Sequence, residues 1–492
     1  MRHRHALALF AMLTMVMGSV RSWSAGAPPS YLKPILAAQP RFAQGGSDPA
    51  AGLVSMAWWE SFADATLDDL VRRAAQGSLT LQQARARVLQ ARSNLGSAWA
   101  DQYPSVEATA SYTRSRTSDN ALAGTAPSGT AGESAVGEAF GTTSLYQAGF
   151  DASWEVDWFG GKRKAVEAAQ ARLEASVEDY HAALLSLVGD VASNYISLRS
   201  DQALLAITRQ NAETQGQTAS LTEQRFVLGL SSGLDVAQAK SQWAATRAAM
   251  PSLEASIRQS IHRISILLGL DPTALVQELS EAKPLPSDQG VLATGLPSEL
   301  LARRPDLRGA ERSLYAAMAD IGVARSDLYP KFDLTLGLGL QSAQTSNFAS
   351  NSSRYWSFVP GLSLPIFNRS ALKANLARKE AAYQEALAAF QASYHSALED
   401  VENALTSYYA EKTRRRDLEE ALQRSQEALA LAQERYQRGL TSFLDVLTAQ
   451  STVQSAQLSL TQSEAKVLTD LVALQKALGG GWAAPTFSAR PA

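Results

Sequence analysis

Gly229-Leu230-Ser231-Ser232-Gly233 has the G-x-S-x-G spacing that presents a serine nucleophile, and acyl transfer is the chemistry it would serve. That chemistry needs a strand before the serine and a histidine to take its proton. Here a long helical pattern precedes the motif. The matching stretch further on, Gly439-Leu440-Thr441-Ser442-Phe443, loses the pattern. Of the histidines, His3 and His5 fall in the N-terminal segment that reads as a secretory signal, and His181, His262 and His395 have no partner at metal-ligand spacing. There is no cysteine, which removes disulfides, thiolate metal sites and cysteine nucleophiles. No phosphate loop or dinucleotide fingerprint occurs, so no cofactor is expected. A net charge of −2 supplies no basic field for nucleic acid. Arg414-Arg415-Arg416, followed by Asp417 and Glu419, reads as a solvated helix face. What remains is a pair of acids. Asp235 and Asp445 each begin a helix, where free N–H groups favour a carboxylate.

Those acids belong to a repeat. RFVLGLSSGLDV at 225–236 is answered by RYQRGLTSFLDV at 435–446, so Arg225, Gly229, Leu230, Ser232, Leu234, Asp235 and Val236 recur at an offset of 210. Upstream, QYPSVEATASY (102–112) answers LYPKFDLTLGL (328–338), and the run 81–96 answers 307–322. Two copies of one large supersecondary unit imply a fold with approximate internal symmetry.

Each copy has the same layout. A helical pattern from about Trp59, broken near Gly77, runs to about Gln102 and stops at Tyr103-Pro104. Val106, Ala108, Ala110 and Tyr112 then alternate with polar residues, the mark of a strand with one apolar face. A Gly, Ser, Thr and Ala-rich loop (117–144) follows. Alternation returns in Phe150, Ala152, Trp154, Val156 and Trp158. In the second copy Phe332, Leu334, Leu336, Leu338 and Leu340 precede a polar loop from Ser342 to Arg354, then Trp356, Phe358, Leu362, Leu364 and Ile366. Between the strand pairs the chain runs from about Arg163 to Arg225 without proline, roughly 90 Å of helix. Leu372 to Arg438 has neither proline nor glycine, and Val453, Leu460, Val467 and Leu474 recur every seventh residue in the return helix.

At the N-terminus, Arg2 and Arg4 precede the apolar run Ala6–Gly18, which reads as a secretory signal within 1–24. No later segment has 18 uninterrupted apolar residues, so no helical span is expected.

A layout of helix, strand pair and helical hairpin, given twice, resembles the outer membrane factors, the TolC-like exit ducts of tripartite efflux systems. The resemblance covers nearly the whole chain. It rests on Trp58-Trp59…Phe62…Asp64…Leu67, on Asp157-Trp158-Phe159-Gly160-Gly161-Lys162-Arg163, on Arg303-Arg304-Pro305-Asp306…Ala310-Glu311 with Tyr329-Pro330, and on Ala477-Leu478-Gly479-Gly480-Gly481-Trp482. The last two, with Tyr31…Pro34, resemble the subgroup serving resistance–nodulation–division pumps, the NodT type. Many of that subgroup carry a lipid on an N-terminal cysteine. Here Val16-Met17-Gly18-Ser19 has serine in that place, so no thioether anchor is expected.

The resemblance implies an α+β membrane protein: a homotrimer whose subunits each give four strands to a roughly 12-stranded outer-membrane β-barrel, continued by a long periplasmic α-helical barrel of coiled-coil hairpins with an equatorial mixed region. Four strands alone leave edges that lipid forbids, which also calls for oligomerisation. The expected organisation is a signal at 1–24, an arm and first repeat at 25–295 with a strand pair at 104–159 and a tip near 228–235, a second repeat at 296–482 with a strand pair at 330–367 and a tip near 438–445, and a tail at 483–492. The implied partners are a periplasmic adaptor, an inner-membrane pump and outer-membrane lipid. The implied function is a passive, non-enzymatic duct exporting drugs, metals or other small molecules, with a type I protein secretion duct as the alternative. The family uses aspartates equivalent to Asp235 and Asp445 as a constriction and cation-binding ring. A tyrosine equivalent to Tyr436 locks the Asp235 position, and Thr441 stands where some relatives have the arginine that shares this lock. Leu228-Gly229-Leu230 and Arg438-Gly439-Leu440 resemble its adaptor-docking motif. The plain alternative is that the aspartates cap helices and that Gly229 and Gly439 end them.

Overall fold

The computed structural model describes residues 57–116, 142–287 and 300–482. The expected signal segment, Ser19, Tyr31, Pro34, most of the 117–144 loop and the tail 483–492 lie outside the described residues. The described chain divides into two compact units, one from 96–168 and 315–384, the other from 57–95, 169–314 and 385–482.

The first unit is built on one antiparallel sheet in the order β1-β2-β3-β4, with β1 Ser105–Arg116, β2 Thr142–Val156, β3 Lys331–Ser342 and β4 Arg354–Ser363. The strand pairs fall where alternation placed them, but Trp158, Leu364 and Ile366 lie beyond the ends of β2 and β4. After β2 the cause is Asp157. Its carboxylate accepts the N–H groups of Lys162 (3.2 Å) and Arg163 (3.0 Å), which turns the chain out of the ladder and into a helix.

Register decides what each face carries, because directly opposed residues point to the same side. Ala108 faces Phe150, which faces Leu338, which faces Trp356; Val106, Ala152, Leu336 and Phe358 form the next row. Trp154 with Leu334 and Phe332 with Leu362 continue it. The opposite face holds Glu107, Thr109, Asp151, Ser153, Thr335, Gly337 and Ser357. There Thr109 donates to Asp151 (2.8 Å) and the Gln147 amide to the Tyr355 hydroxyl (2.8 Å). Within the chain the apolar face is uncovered: Trp356 is 79% and Phe358 57% exposed.

The helices are α1 (Ala65–Gly77), α2 (Leu79–Ala100), α3 (Gly161–Val227), α4 (Gly233–Ala248), α5 (Met250–Leu267), α6 (Val276–Leu279), α7 (Leu300–Arg303), α8 (Pro305–Ser326), α9 (Arg369–Gln437) and α10 (Phe443–Ala477). The runs read as proline-free are the two longest, α3 and α9. Pro251 divides α4 from α5, since it has no N–H to give the previous turn. Its counterpart 210 residues on is Thr461, and α10 runs through without a break.

The core of the second unit gathers Trp58, Phe62, Leu67 and Leu70 against Val191, Tyr195, Ile196, Ile261, Leu468 and Leu471, all buried. Asp64 caps α1 by accepting from Thr66 N–H (2.8 Å) and Leu67 N–H (3.2 Å), and it also accepts from the Tyr195 hydroxyl (2.6 Å). Burial, and then that bond, pushes the Tyr195 phenol up to about 12. Trp58 donates to the Gly480 carbonyl (3.2 Å) and Trp482 to that of Arg303 (3.0 Å). Arg304 bridges Asp306 (2.7 Å) and Asp400 (3.0 Å). Three of the sequence motifs, far apart in the chain, therefore close on one another here.

Candidate functional site: the paired hairpin tips

Both hairpins of the second unit turn by one mechanism. At the end of α3, Gly229 N–H donates to the Phe226 carbonyl (2.9 Å) and Leu230 N–H to that of Arg225 (2.8 Å). At the end of α9, Gly439 N–H donates to Tyr436 (3.0 Å) and Leu440 N–H to Arg435 (2.9 Å). These are the paired bonds of a Schellman motif, which needs a left-handed residue just past the helix. Gly229 has φ +75° and Gly439 φ +73°. A Cβ at either would meet nothing within 4 Å, so backbone conformation alone asks for glycine there.

Each return helix starts on a Ser-x-x-Asp pair, a signal legible in the sequence. Ser232 N–H donates to Asp235 Oδ2 (2.9 Å), and Asp235 N–H donates to Ser232 Oγ (3.2 Å). At the second tip Asp445 Oδ2 accepts from Ser442 N–H (3.0 Å), from Ser442 Oγ (2.9 Å) and from the Thr441 hydroxyl. The hydroxyl bonds from Thr441 and Ser442 hold the Asp445 carboxyl below the usual carboxylate range. The capping role expected of both aspartates is thus present. It engages Oδ2 in each case and leaves Asp445 exposed and Asp235 half-buried.

Tyr436 is not bonded to Asp235 within the chain. Its ring lies 5.7 Å from that of Phe443, and the Arg225 guanidinium sits 4.9 Å over its face. Phe443 is buried with Ala219 and Ala239, so one small apolar cluster joins all four helices of the two tips. The sequence reading missed Phe443 and Arg225 as parts of this site; the shift from Gly233 to Phe443 between the repeats was the available signal. Leu228, Leu230 and Leu440 are exposed, and Arg438 pairs with Glu434 on its own helix.

Ser231, the serine of the hydrolase-like motif, donates to the Thr222 carbonyl (3.0 Å) and follows a helix, not a strand. The elbow that would activate it is missing. Among the described residues, no group of three or more His, Asp or Glu side chains is placed to hold a metal.

A sheet with one apolar face, joined in sequence to long helical hairpins that end in capped tips, defines an envelope channel subunit. The chain belongs to the outer membrane efflux protein family, whose model matches residues 70–270 and 296–480. It is 32% identical to Nodulation protein T of Rhizobium leguminosarum bv. viciae, over 96% of this chain and 93% of that one. It is 33% identical to the pyoverdine export outer membrane protein OpmQ of Pseudomonas aeruginosa, over 96% and 97%. Among solved structures, the outer-membrane channel OprN superposes with a TM-score of 0.85 at 33% identity, covering 92% of this chain and 99% of that one. VceC of Vibrio cholerae does so with a TM-score of 0.78 at 27% identity, covering 87% and 99%. This protein is an outer-membrane efflux component, a passive duct and not an enzyme.

Proposed function

We propose that three copies of this chain close their sheets into one barrel of about twelve strands, continued by a periplasmic barrel of helical hairpins whose tips form the gate. The observation that carries this is the register of the sheet. Every large apolar side chain of the ladder but Leu145, Tyr355 and Val359 points to one face, and among the described residues β1 and β4 each keep an unpaired edge. Such a sheet is stable in lipid only when its edges pair with other copies. The polar face then lines the lumen.

At the gate, Asp235 and Asp445 supply rings of three carboxylates each, with Oδ1 turned to the pore while Oδ2 caps the helix. Tyr436, held from behind by Phe443 and Arg225, offers its hydroxyl to a neighbouring copy at the Asp235 position. Leu228-Gly229-Leu230 and Arg438-Gly439-Leu440 receive a periplasmic adaptor coupled to an inner-membrane pump. The 342–354 connection faces the exterior, because the other strand ends lead into helices.

Planar-bilayer conductance tests the gate. Tyr436→Phe keeps the ring contacts and removes only the hydroxyl. Combined with Asp235→Ala it raises single-channel conductance, while Asp445→Ala reduces block by divalent cations. Wild-type conductance, ion preference and block in both variants would leave these residues as caps alone. An SDS-resistant, heat-modifiable trimer in outer-membrane fractions tests the assembly.

A further inference from the structure

The two faces of the sheet divide its charges. The carboxylates of the strands, Glu107, Asp151, Glu155 and Asp333, all belong to the polar face, as does Lys331. The arginines, Arg114, Arg116 and Arg354, all belong to the apolar face. They are exposed, and no carboxylate of the strands shares their side.

Their depth is set by the strands. On β1 the order is Tyr112, Arg114, Arg116; on β4 it is Arg354, Trp356, read inward from the loop end. From Val156 to Tyr146 on β2 the apolar face stands about 25 Å tall at a tilt of roughly 40°, the height of a hydrocarbon-facing band. At that tilt Arg114 lies roughly 5 Å, and Arg116 roughly 10 Å, beyond the Tyr112–Tyr146 pair, while Arg354, opposite Leu340 and so one row inside that pair, lies roughly 5 Å beyond Trp356 on its own strand and carries a stem long enough to bring its guanidinium up toward the same level. That is the headgroup level, where a guanidinium leaves hydrocarbon while its stem still covers apolar surface.

We infer that Arg114, Arg116 and Arg354 form a rim that binds the phosphates of a phosphorylated glycolipid in the outer leaflet. Guanidinium matches phosphate with two parallel N–H···O bonds. The position favours a lipid over a soluble anion, since acyl chains lying on the apolar face fix the phosphate at the height of the arginines. The inference rests on the trimeric barrel reading, in which β4 of one copy lies beside β1 of the next. Arg354 then joins a neighbour's Arg114 and Arg116 at each junction.

The test uses the assembled full-length protein in detergent, with bound lipid read by native mass spectrometry. The probes are diphosphorylated lipid A and its dephosphorylated form. Wild type retains the diphosphorylated form preferentially and loses it as salt rises. Each Arg→Gln change weakens retention about fivefold, and the R114Q/R116Q/R354Q variant about a hundredfold. The corresponding triple lysine variant keeps most of it. Equal retention by wild type and an SDS-resistant triple glutamine trimer would overturn the inference, as would equal retention of both lipids by wild type. Displacement of the lipid by micromolar inorganic phosphate would also overturn it, by making the ligand a soluble anion. Should the triple variant not assemble, the three single variants decide. A wild type that never forms a trimer overturns the duct reading, and this inference with it.

Discussion

The two hairpin tips have one backbone and two chemistries. Their glycines share a φ within a few degrees, and their Schellman bonds match pair for pair. The side chains then diverge. Phe226 in the first tip is 48% exposed, and Gly233 follows it across the turn; Phe443, at the Gly233 position, is 4% exposed beneath Tyr436. Ser231 ties back to its own helix through Thr222, whereas Thr441 ties forward to Asp445. The repeat therefore preserves what the backbone needs and varies what the side chains do. The second tip is anchored by packing and by a carboxylate that accepts three bonds, while the first leaves its phenylalanine turned outward.

The largest break in that comparison comes from the buried ring. Phe443→Ala removes a core aromatic and costs about 3 kcal/mol of local stability. Hydrogen exchange in 436–446 rises accordingly. Phe226→Ala, at an exposed position, shifts exchange in 225–236 by no more than about 0.5 kcal/mol. Equal responses would mean that the tips are equally anchored and would end the distinction.

Glycine substitution tests the shared part. Gly229→Val and Gly439→Val each cost about 1–2 kcal/mol, because a β-branched residue is forced to positive φ in open space. Exchange midpoints of the two turns should shift by the same amount. A marked inequality would show that a contact outside the turn decides at least one of them.

Acid separates the tips next. The Asp445 carboxyl titrates below its ordinary value in the folded chain. Its contribution is present above the unfolded carboxylate range and is lost as pH falls through the lowered value. Exchange at 441–446 should stay slow down to about pH 4 and quicken below it. A tip that loosens first near neutral pH contradicts this assignment.

The smallest effect sharpens the cause. Thr441→Val deletes one hydroxyl bond to Asp445 and leaves the backbone bond from Ser442. The acid transition at the second tip then moves up in pH, toward the ordinary carboxylate value, without a change in the turn at Gly439. Thr441→Ser, which keeps the hydroxyl, leaves the transition in place.

The sequence by itself determined the elements. Period-2 alternation located four strands, proline-free runs located α3 and α9, and the 210-residue offset paired the two turns. These signals are local: they depend on propensity, face periodicity and glycine conformation, which a chain carries in its own order. The end of β2 at Asp157 and the division of α4 from α5 at Pro251 are also local, set by an Asp–N–H cap and by proline. Only tertiary structure decided the rest. That Phe443, Tyr436 and Arg225 meet, that Asp64 is held by Tyr195, and that Arg114, Arg116 and Arg354 share one face with Trp356 all depend on register and packing between segments far apart in the chain. A one-residue slip of β2 against β3 would exchange the apolar face of β2 for the polar one without altering a single residue, because the side-chain period of a strand is two and the partner strand alone fixes its phase.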